Sequence, residues 1–533
     1  MKRISFLTFI ILIFIQCTSV KKHNEHLNDL ITENDLKADV DYTYKKLQRV
    51  QPKLYWYISK KELDYKFDSL KNTITKPMTS FQFYKKLSPV VASIKEGHLS
   101  VSPSLKILTK ADKKKYIEMG TGPFSQFNFI VLNDKLYVLK NGSEDKSIQP
   151  GAEVIAINGK KTTELIQEYY ALFTSDGYNK TFKSNRMSNA FTSFYTNENG
   201  IQDSLKYSFK QNDSIKVVLI KRKKPEPLKI NKIETKPKKI ALNKKNKKLS
   251  KKNKSIYGYN KFTKTNNRNL KFIEKDSSIA VLKINHFDLG NPNRFYEESF
   301  SKIQLYNTKT LIIDLRNNTG GALKEITKLY SYLSDSTFVF INPYEVVSKT
   351  SLIEKTPFSK APLLAKILIS PFYIPYIYLK VHKKENGKYY VSSSDSKPMS
   401  INKKAFKGKV YILINGGTFS ASSIISSNLK GSKRATFVGE ETGGAYNGTV
   451  AGLMPTIELP NSDLKITLGL LVVAPHYKTE LEGRGIFPDK EIIPTLEDHI
   501  NGRDPEMNCI VEDISKNKTT QQEKNKDQKI VKK

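Results

Sequence analysis

The chain has 533 residues, with 89 Lys and Arg against 52 Asp and Glu, and its formal net charge at pH 7 is +37. Apolar residues make up 38% of it, with 28 Tyr and 27 Phe, which excludes a wholly disordered or low-complexity chain. Its two Cys exclude a disulfide scaffold and any Cys-rich zinc or iron–sulfur module. The net charge alone is consistent with binding to nucleic acid, with binding to an anionic membrane surface, or with Lys-rich segments that are simply solvated.

Residues 1–17 have the pattern of an export signal. Lys2 and Arg3 precede an apolar run, Phe6 to Ile15, which is too short to span a bilayer and is followed by Cys17. This arrangement resembles a bacterial lipoprotein signal, in which the Cys becomes the lipidated N-terminus. An ordinary cleaved signal and an uncleaved anchor are the alternatives. In each case we expect the bulk of the protein outside the cytoplasm, in the periplasm or cell envelope, and as a lipoprotein it would be anchored to the membrane.

Two regions of different pattern follow the signal. Residues 28–118 place apolar residues at helical spacing, which predicts an N-terminal helical domain carrying His98 in a Glu-Gly-His loop. Residues 120–220 change to short strands, with the turn signals Pro150-Gly151 and Asn158-Gly159 around an apolar strand and a helix after it. This order resembles the second half of a PDZ module, whose strand edge can accept an extended peptide. A generic β-hairpin is the alternative.

Two segments are strongly basic and lack apolar periodicity. Within the predicted linker or insertion at 221–270, positions 221–255 hold sixteen Lys and Arg and two Glu, a net charge of +14. The tail at 515–533 has seven Lys against one Glu and one Asp, a net charge of +5, and is predicted to be disordered. About half of the net charge therefore lies in segments that are not expected to fold.

Residues 271–514 alternate apolar strands with helical stretches, which predicts an α/β core. One stretch in this region, Leu363 to Leu379, is apolar but contains Lys366, Pro371 and Pro375. Because Pro inside a helix costs about 3 kcal/mol, we expect a buried strand-and-loop segment or an apolar lip beside a cleft, and not a helix that spans a membrane.

The strongest chemical signal is a strand-to-helix turn. The apolar strand Val410 to Ile414 runs into Gly416-Gly417, and Ser420 stands immediately before a helix that begins at Ala421. At such a turn the hydroxyl can project into a cleft, and the free N–H groups of the helix start can stabilise a developing negative charge. A plain helix N-cap is the alternative role for Ser420. The G-x-S-x-G elbow is absent, so an α/β-hydrolase is not supported.

A glycine-rich turn follows another predicted core strand. The strand ends at Asp314-Leu315-Arg316 and opens into Asn317-Asn318-Thr319-Gly320-Gly321. Paired glycines let the backbone approach a ligand closely and point N–H groups into a site. The phosphate-loop pattern G-x-x-x-x-G-K-[ST] is absent. A tight turn without a function is the alternative.

With these two turns and the PDZ-like stretch in this order, the sequence resembles the C-terminal processing (tail-specific) serine peptidases. The resemblance runs from about Asp35 to Ile514, interrupted by the Lys-rich insertion. It implies an α/β fold with a ClpP/crotonase-like peptidase core, an N-terminal helical domain and a PDZ-like domain. It also implies that Ser420 is the nucleophile, with an oxyanion hole formed by the N–H of Ala421 and that of Gly320 or Gly321.

The chain departs from the typical member of this family at the general base. The family's Lys lies in a G-E-P-T-x-G-K-G segment, and the matching stretch here, Gly439 to Tyr446, has Ala445 at that position. A Ser–Lys dyad is therefore not available there.

The family's other branch, which resembles the tricorn core protease, uses a distant N-terminal His and a Glu near the C-terminus. His98 in KEGHLSV and Glu482 in LEGRGIFPD match these positions. The resemblance therefore implies that His98 takes the proton of Ser420 and that Glu482 supports the site. His476, six residues before Glu482, is the alternative base.

These residues predict an exported serine endopeptidase that hydrolyses peptides or unstructured protein segments. A catalytically silent protein of the same fold that binds peptides or apolar ligands is the alternative, since the family's Lys is missing. We expect no cofactor, and no His, Asp or Glu set shows metal-ligand spacing. Nucleic acid is not expected as a partner, because the basic segments lack interleaved aromatic residues. The sequence leaves the oligomeric state open.

Overall fold

The computed structural model of the protein describes residues 20–224, 254–273, 277–354 and 362–516. The predicted signal at 1–17 with Cys17, most of the Lys-rich segment and nearly all of the basic tail lie outside the described residues. The predictions for the undescribed parts of these segments therefore stay predictions. The strands Tyr259–Asn260, Thr265–Asn266 and Arg268–Phe272 show, however, that the end of the predicted linker or insertion, up to residue 270, is folded.

The N-terminal region is helical, as the spacing of its apolar residues predicts. It contains α1 (Val20–Glu25), α2 (Glu33–Val50), α3 (Lys60–Asn72), α4 (Ser80–Ala92), the short strand β1 (Ser100–Ser102) and α5 (Lys110–Glu118). The side chains of Thr32, Ser59 and Thr79 cap α2, α3 and α4 by accepting the backbone N–H three residues further on. His98 lies in the turn between α4 and β1.

The middle region is an antiparallel sheet with two helices packed against it. Its elements are β2 (Phe127–Leu132), β3 (Lys135–Asn141), β4 (Glu153–Ile157), β5 (Lys160–Lys161), α6 (Thr162–Ala171), α7 (Thr181–Asn199), β6 (Ser204–Gln211) and β7 (Ser214–Lys221). The strand order is β2-β3-β4-β6-β7, with β5 paired to β4. The predicted strands and helix are present, and the interpretation of the region as a PDZ-like module stays a prediction.

A six-stranded sheet forms the centre of the C-terminal region. Its strands are β10 (Arg268–Phe272), β11 (Ile279–Ile284), β12 (Thr310–Asp314), β16 (Lys409–Ile414), β17 (Thr436–Gly439) and β22 (Lys490–Glu491). They follow each other in this order across the sheet, and all neighbours are parallel except β10 and β11. The helices of the region are α8 (Pro292–Leu305), α9 (Leu323–Ser331), α10 (Leu363–Lys380), α11 (Ala421–Gly431), α12 (Leu496–Asn501) and a helical stretch at 505–516.

Both faces of this sheet are covered, which explains why every residue of β12 is buried. Leu311 and Ile313 point into the cluster that contains residues of α8, α9 and α11. Ile312, between them, points the other way and packs with Ile510 and Ile514 of the helix at 505–516. The α/β peptidase fold predicted from the sequence is confirmed.

Smaller antiparallel sheets complete the fold, and one of them joins the N-terminal and C-terminal regions. Their strands are β8 (Tyr259–Asn260), β9 (Thr265–Asn266), β13 (Tyr344–Val346), β14 (Val381–Lys383), β15 (Tyr389–Val391), β18 (Thr449–Ala451), β19 (Thr456–Glu458), β20 (Lys465–Thr467) and β21 (Leu471–Val473). β1 of the N-terminal region pairs with β20, with Ser100 opposite Thr467. Single turns of 3-10 helix lie at Phe124–Gln126, Ser351–Glu354 and Ser394–Ser396. The β1–β20 pairing fixes the turn that carries His98 against the core.

The apolar stretch at Leu363 to Leu379 differs from its prediction. It forms α10, a helix that contains Pro371 and Pro375, and Ile377 is its one buried residue. The expected buried strand-and-loop segment is therefore wrong. By length and composition alone, α10 is the one helix among the described residues that could cross a membrane.

Candidate active site

The site begins with two loops at the carboxyl ends of the neighbouring parallel strands β12 and β16. Side chains and backbone join the two loops directly. Thr418 Oγ1 donates to the Leu315 carbonyl at 2.9 Å, and the Asn317 N–H donates to Asn415 Oδ1 at 2.8 Å. The Ser420 turn and the glycine-rich turn, which the sequence separates by about a hundred residues, are therefore adjacent.

Ser420 occupies a strained turn at the start of α11. Its φ is +57° and its ψ is −123°, a backbone conformation that costs a non-glycine residue about 1–3 kcal/mol. Its side chain makes no capping hydrogen bond to the helix, so the plain N-cap role considered above does not describe it. The hydroxyl instead lies 2.9 Å from the Nε2 atom of His98. The strained backbone thus directs the hydroxyl away from the helix and towards an imidazole.

The turn before β1 brings His98 close to the core. The ring of Phe419 lies against the imidazole, with 4.8 Å between ring centroids. Gly97 allows this approach, because a Cβ atom at that position would lie 2.6 Å from the Phe419 ring and 2.8 Å from Asp176 Oδ1. The structure therefore places His98, and not His476, at the serine. His476 is exposed, and its ring packs beside Tyr477.

The other ring nitrogen of His98 faces a buried network of side chains. Nδ1 lies 2.9 Å from the hydroxyl oxygen of Thr449, in β18. That oxygen is 2.8 Å from Glu96 Oε1 and 3.2 Å from Asp176 Oδ1. Glu96 Oε1 itself is 3.8 Å from Nδ1, which is too far for a hydrogen bond. The threonine hydroxyl therefore connects the imidazole to the two carboxyl groups.

Backbone N–H groups hold both carboxyl groups in place. Glu96 accepts from the N–H of His98 at 3.1 Å and from that of Val450 at 2.9 Å. Asp176 accepts from the N–H of Gly97 at 2.8 Å and from that of Ala445 at 3.2 Å. Ala445 is the residue at the family's Lys position, so its backbone serves here to anchor a carboxyl group.

The number of hydrogens available determines which groups donate and which accept in this network. For Nε2 to accept the proton of Ser420, the hydrogen of a neutral His98 must be on Nδ1, where it points at the Thr449 oxygen. Thr449 has one hydrogen to donate, so it can serve only one of the two carboxyl groups as an acceptor. The second carboxyl group can then form a hydrogen bond with the Thr449 oxygen only as a donor, which requires that this carboxyl group is protonated.

The pKa shifts in this network agree with one proton held between the carboxyl groups of Glu96 and Asp176. Burial, followed by the charge of Glu96, raises the pKa of Asp176 from 3.8 to about 7. Burial lowers the pKa of His98, but the nearby negative charges of Glu96 and Asp176 outweigh it, so this pKa lies above the ordinary 6.5. Asp176 is thus the carboxyl group whose pKa allows it to hold a proton near neutral pH.

The backbone beside Ser420 offers two free donors. The N–H groups of Ala421 and Gly321 bond to no other described residue, whereas that of Gly320 donates to Asn318 Oδ1 at 2.9 Å. A Cβ atom at Gly320 would lie 2.7 Å from the Ser420 Cβ and 2.9 Å from the Ala421 nitrogen. Of the predicted oxyanion-hole residues, Ala421 and Gly321 therefore keep their donors available.

Glu482 does not join the network around His98. Its side chain is exposed, and the carboxyl groups next to the His98–Thr449 pair are those of Glu96 and Asp176. Its charge acts instead on Lys53 and Lys478. The expected support of His98 by Glu482 therefore needs correction: Glu482 lies in a turn whose role is to hold the Asp176 loop, since Tyr178 donates its N–H to the Gly483 carbonyl at 2.8 Å.

Three potential metal ligands meet in this network, although the sequence shows no metal-ligand spacing. The donor atoms of Glu96, His98 and Asp176 lie within 4.8 Å of one another. The hydroxyl of Thr449 is within hydrogen-bond distance of all three. The space between the ligand atoms is thus filled by a polar atom of the chain.

The sequence reading missed Thr449 and Asp176. Asp176 stands in a Ser-Asp-Gly turn between α6 and α7, and Thr449 follows Asn447-Gly448. Each is an ordinary polar residue at a turn, and only the fold brings Thr449 to 2.9 Å from His98 and Asp176 to 3.2 Å from Thr449. The one available signal was Asp176-Gly177, a dipeptide typical of a sharp turn that aims a carboxylate.

Comparisons with known proteins relate the core and the fold to a known family. Residues 278–492 match the sequence profile of peptidase family S41. A comparison with curated protein sequences gives no significant match. Among solved structures, mature CPAF is 13% identical, with a TM-score of 0.55, and the match covers 88% of this chain and 95% of that one. Mature CPAF complexed with lactacystin is 14% identical, with a TM-score of 0.56, and coverage of 88% and 96%.

A third similar structure is the photosystem II D1 C-terminal processing protease. It is 12% identical, with a TM-score of 0.40, and the match covers 87% of this chain and 96% of that one. The CPAF structures support the fold, and the residues matched by the profile include five of the six strands of the central sheet and the turns at Gly321 and Ser420. Residues 278–492 therefore form a domain that matches peptidase family S41, and this match identifies the protein as a serine-type peptidase.

Proposed function

We propose that Ser420 and His98 are the catalytic pair of a serine endopeptidase. The observation that carries this proposal is the 2.9 Å contact between His98 Nε2 and Ser420 Oγ, made by a serine whose hydroxyl is not used to cap its helix. His98 takes the Ser420 proton while Oγ forms a bond to the carbonyl carbon of the scissile peptide. The N–H groups of Ala421 and Gly321 stabilise the resulting oxyanion.

The same groups complete the reaction. His98 returns its proton to the leaving amine as the peptide bond breaks, which leaves an acyl group on Ser420. A water molecule, deprotonated by His98, then attacks the acyl carbon and releases the serine. Thr449 and Glu96 hold the imidazole in the required tautomer and stabilise its protonated form, since the Glu96 carboxylate lies 3.8 Å from Nδ1.

Labelling with a serine-reactive fluorophosphonate tests this assignment. We expect the wild-type protein to be labelled, and both Ser420→Ala and His98→Ala to be unlabelled while keeping their circular dichroism spectra. Ser422→Ala is a matched control, because Ser422 lies two residues away and is fully buried. Labelling that survives in Ser420→Ala would contradict the proposal.

We also propose that the substrates are peptides or unstructured protein segments. Ser420 is partly buried between the N-terminal, middle and C-terminal regions, so a substrate reaches it as an extended chain. Cleavage of an unfolded protein and of the same protein in its folded state would be compared by gel electrophoresis. We expect the unfolded form to be degraded much faster, and equal rates would contradict this substrate class.

The location of the protein is the last part of the proposal. The basic residues, short apolar run and Cys17 at positions 1–17 support export to the cell envelope and lipidation at Cys17. Metabolic labelling with a clickable fatty acid would be compared for wild type and Cys17→Ser. Loss of the label in the variant, with peptidase activity retained, is the expected result. Labelling of Cys17→Ser would exclude this residue as the acceptor.

A further inference from the structure

Helix α10 presents an apolar surface to solvent. Leu364, Leu368, Phe372 and Tyr376 follow each other at intervals of four residues, and their exposed fractions are 74%, 66%, 79% and 53%. We call these four residues the apolar helix face. A soluble protein normally turns such a face towards its core, so this one is expected to be covered when the protein is at work.

The opposite side of α10 rests on the protein. Tyr373 donates its hydroxyl hydrogen to the Leu352 carbonyl at 3.2 Å, and Ile377 is buried. Lys366 and Ser370 are also less exposed than their apolar neighbours. The helix therefore lies along the protein on the side of Tyr373 and Ile377, while most of its apolar side chains remain exposed to solvent.

Lysines without acidic partners surround this helix. Each lies over a tyrosine ring: Lys349 is 5.6 Å from Tyr378, Lys380 is 5.6 Å from Tyr376, Lys383 is 6.0 Å from Tyr389, and Lys384 is 4.7 Å from Tyr390. Among the described residues, none of the four lysines forms an ion pair with a carboxylate. Lysines and tyrosines around an apolar helix are typical of the membrane–water interface.

We propose that the apolar helix face docks the peptidase onto an anionic lipid membrane. The four side chains enter the boundary between headgroups and acyl chains, and Lys349, Lys380, Lys383 and Lys384 contact the negatively charged headgroups.

The charge of the chain favours this occupant over a second copy. Pairing two copies through α10 would bring the same unpaired lysines together across the interface, in chains that each carry a net charge of +37. An anionic bilayer instead attracts them.

The helix lies in the membrane surface and does not cross it. Its 18 residues span about 27 Å, yet Tyr373 and Ile377 attach its second half sideways to the folded protein. Val381, immediately after the helix, begins β14, which is paired with β15. A spanning arrangement would have to break these contacts, whereas an interfacial one keeps them.

A tryptophan reporter tests the proposal directly. Phe372→Trp would be made together with Trp56→Phe, which removes the chain's one native tryptophan. The full chain would be mixed with vesicles of equal phosphatidylglycerol and phosphatidylcholine carrying brominated acyl chains. We expect a blue shift and quenching of the emission, with both effects reduced by added salt and absent with phosphatidylcholine alone.

Ile215→Trp in the same background is the matched control, because Ile215 is 63% exposed on β7, away from α10. It should keep its emission. A lipid anchor at the N-terminus could hold the chain to the vesicle, but it would not place residue 372 among the acyl chains. Adding Leu364→Gln and Leu368→Gln to the reporter should restore its emission.

Three results would overturn the proposal. The first is unchanged emission from residue 372 in a folded protein with the anionic vesicles. The second is equal quenching by neutral vesicles, which would remove the role of the lysines. The third is a blue shift without vesicles in a protein that elutes as a dimer, which would identify a second copy as the occupant. None of these measurements depends on peptidase activity, so the proposal stands or fails separately from the assignment of Ser420 and His98.

Discussion

Ser420 and His98 meet across 2.9 Å, but the protein holds them in different ways. Backbone geometry positions the serine, through a buried strand, a strained turn and a helix start. Side-chain hydrogen bonds to Thr449, and through it to two carboxyl groups, position the imidazole. The serine should therefore tolerate changes in pH and in its neighbours' charge, whereas the histidine should respond to both.

The largest effect expected is that of removing the base. His98→Ala should lower kcat by about 10⁴-fold, because no other described base contacts the Ser420 hydroxyl. His476→Ala should leave kcat unchanged, since His476 is exposed and makes no contact with the serine. Hydrolysis of a fluorogenic peptide measures both. The reverse pattern would mean that the positions of the two histidines have been assigned wrongly.

The next effect should come from Thr449→Val, which keeps the side-chain shape and removes the hydroxyl. His98 then loses the acceptor of its Nδ1 hydrogen, and we expect kcat to fall by about 10²- to 10³-fold. Thr449→Ser, which restores the hydroxyl, should recover most of the activity. If valine and serine variants lose activity equally, the hydroxyl is not what orients the imidazole.

Gly97→Ala tests the close approach of the His98 turn to the core. The added Cβ would lie 2.6 Å from the Phe419 ring, so the turn must shift, and we expect kcat to fall by about 10- to 100-fold. Gly122→Ala is the control, because the nearest atom to its Cβ would be 3.4 Å away, in an arginine side chain. Similar activity in both variants would show that the turn adapts without moving His98.

Asp176→Asn should change the pH dependence more than the maximal rate. The catalytic base must be neutral, so the raised pKa of His98 places the acid limb of kcat/KM above pH 6.5 in the wild type. Removing the negative charge that Asp176 acquires lowers the His98 pKa, and the limb should move to lower pH. An unmoved limb would indicate that Asp176 carries no charge near His98 in the working enzyme.

The same residue predicts how stability varies with pH. Asp176 ionises at about 7 in the folded protein and near 3.8 when unfolded. Its raised pKa therefore favours the folded state most below pH 4, and this contribution is lost as the pH rises through 7. Over this pH range, the free energy of unfolding measured with urea should fall more for the wild type than for Asp176→Asn. A parallel pH dependence of the two proteins would contradict the raised pKa.

Glu482→Gln should have the smallest effect, below about threefold on kcat, because the side chain is exposed and lies outside the His98 network. Glu96→Gln is the comparison, since Glu96 is buried and accepts hydrogen bonds from Thr449 and Val450. A large loss in Glu482→Gln with little loss in Glu96→Gln would restore the role that the family resemblance implies for Glu482.

The sequence predicted those parts of the site that depend on local structure. Apolar strands of five or six residues followed by glycines identified the turns at Ser420 and Gly321, because a buried strand leaves a recognisable pattern. His98 has no such pattern around it, and only the resemblance to a family singled it out. The fold class followed from the same strands.

The remaining site residues depend on contacts between distant segments. Thr449 lies 351 positions from His98 and 273 from Asp176. No pattern of sequence spacing predicts such contacts, because these residues meet only when the N-terminal, middle and C-terminal regions pack together. The prediction for α10 failed because it gave too much weight to two prolines. Each proline removes one backbone hydrogen bond, and the other hydrogen bonds of the 18-residue helix remain.

The distance of 322 residues between His98 and Ser420 has a consequence for the life of the chain. Its N-terminal part is made first and contains a base without a nucleophile. Its last third brings a nucleophile that has no base until β1 has paired with β20. If Ser420 and His98 are the catalytic pair, as proposed above, a chain that is still being synthesised, or is only partly folded, cannot yet cut itself or its neighbours. Under the proposed mechanism, the order of these two segments along the chain keeps the protein inactive until it has folded.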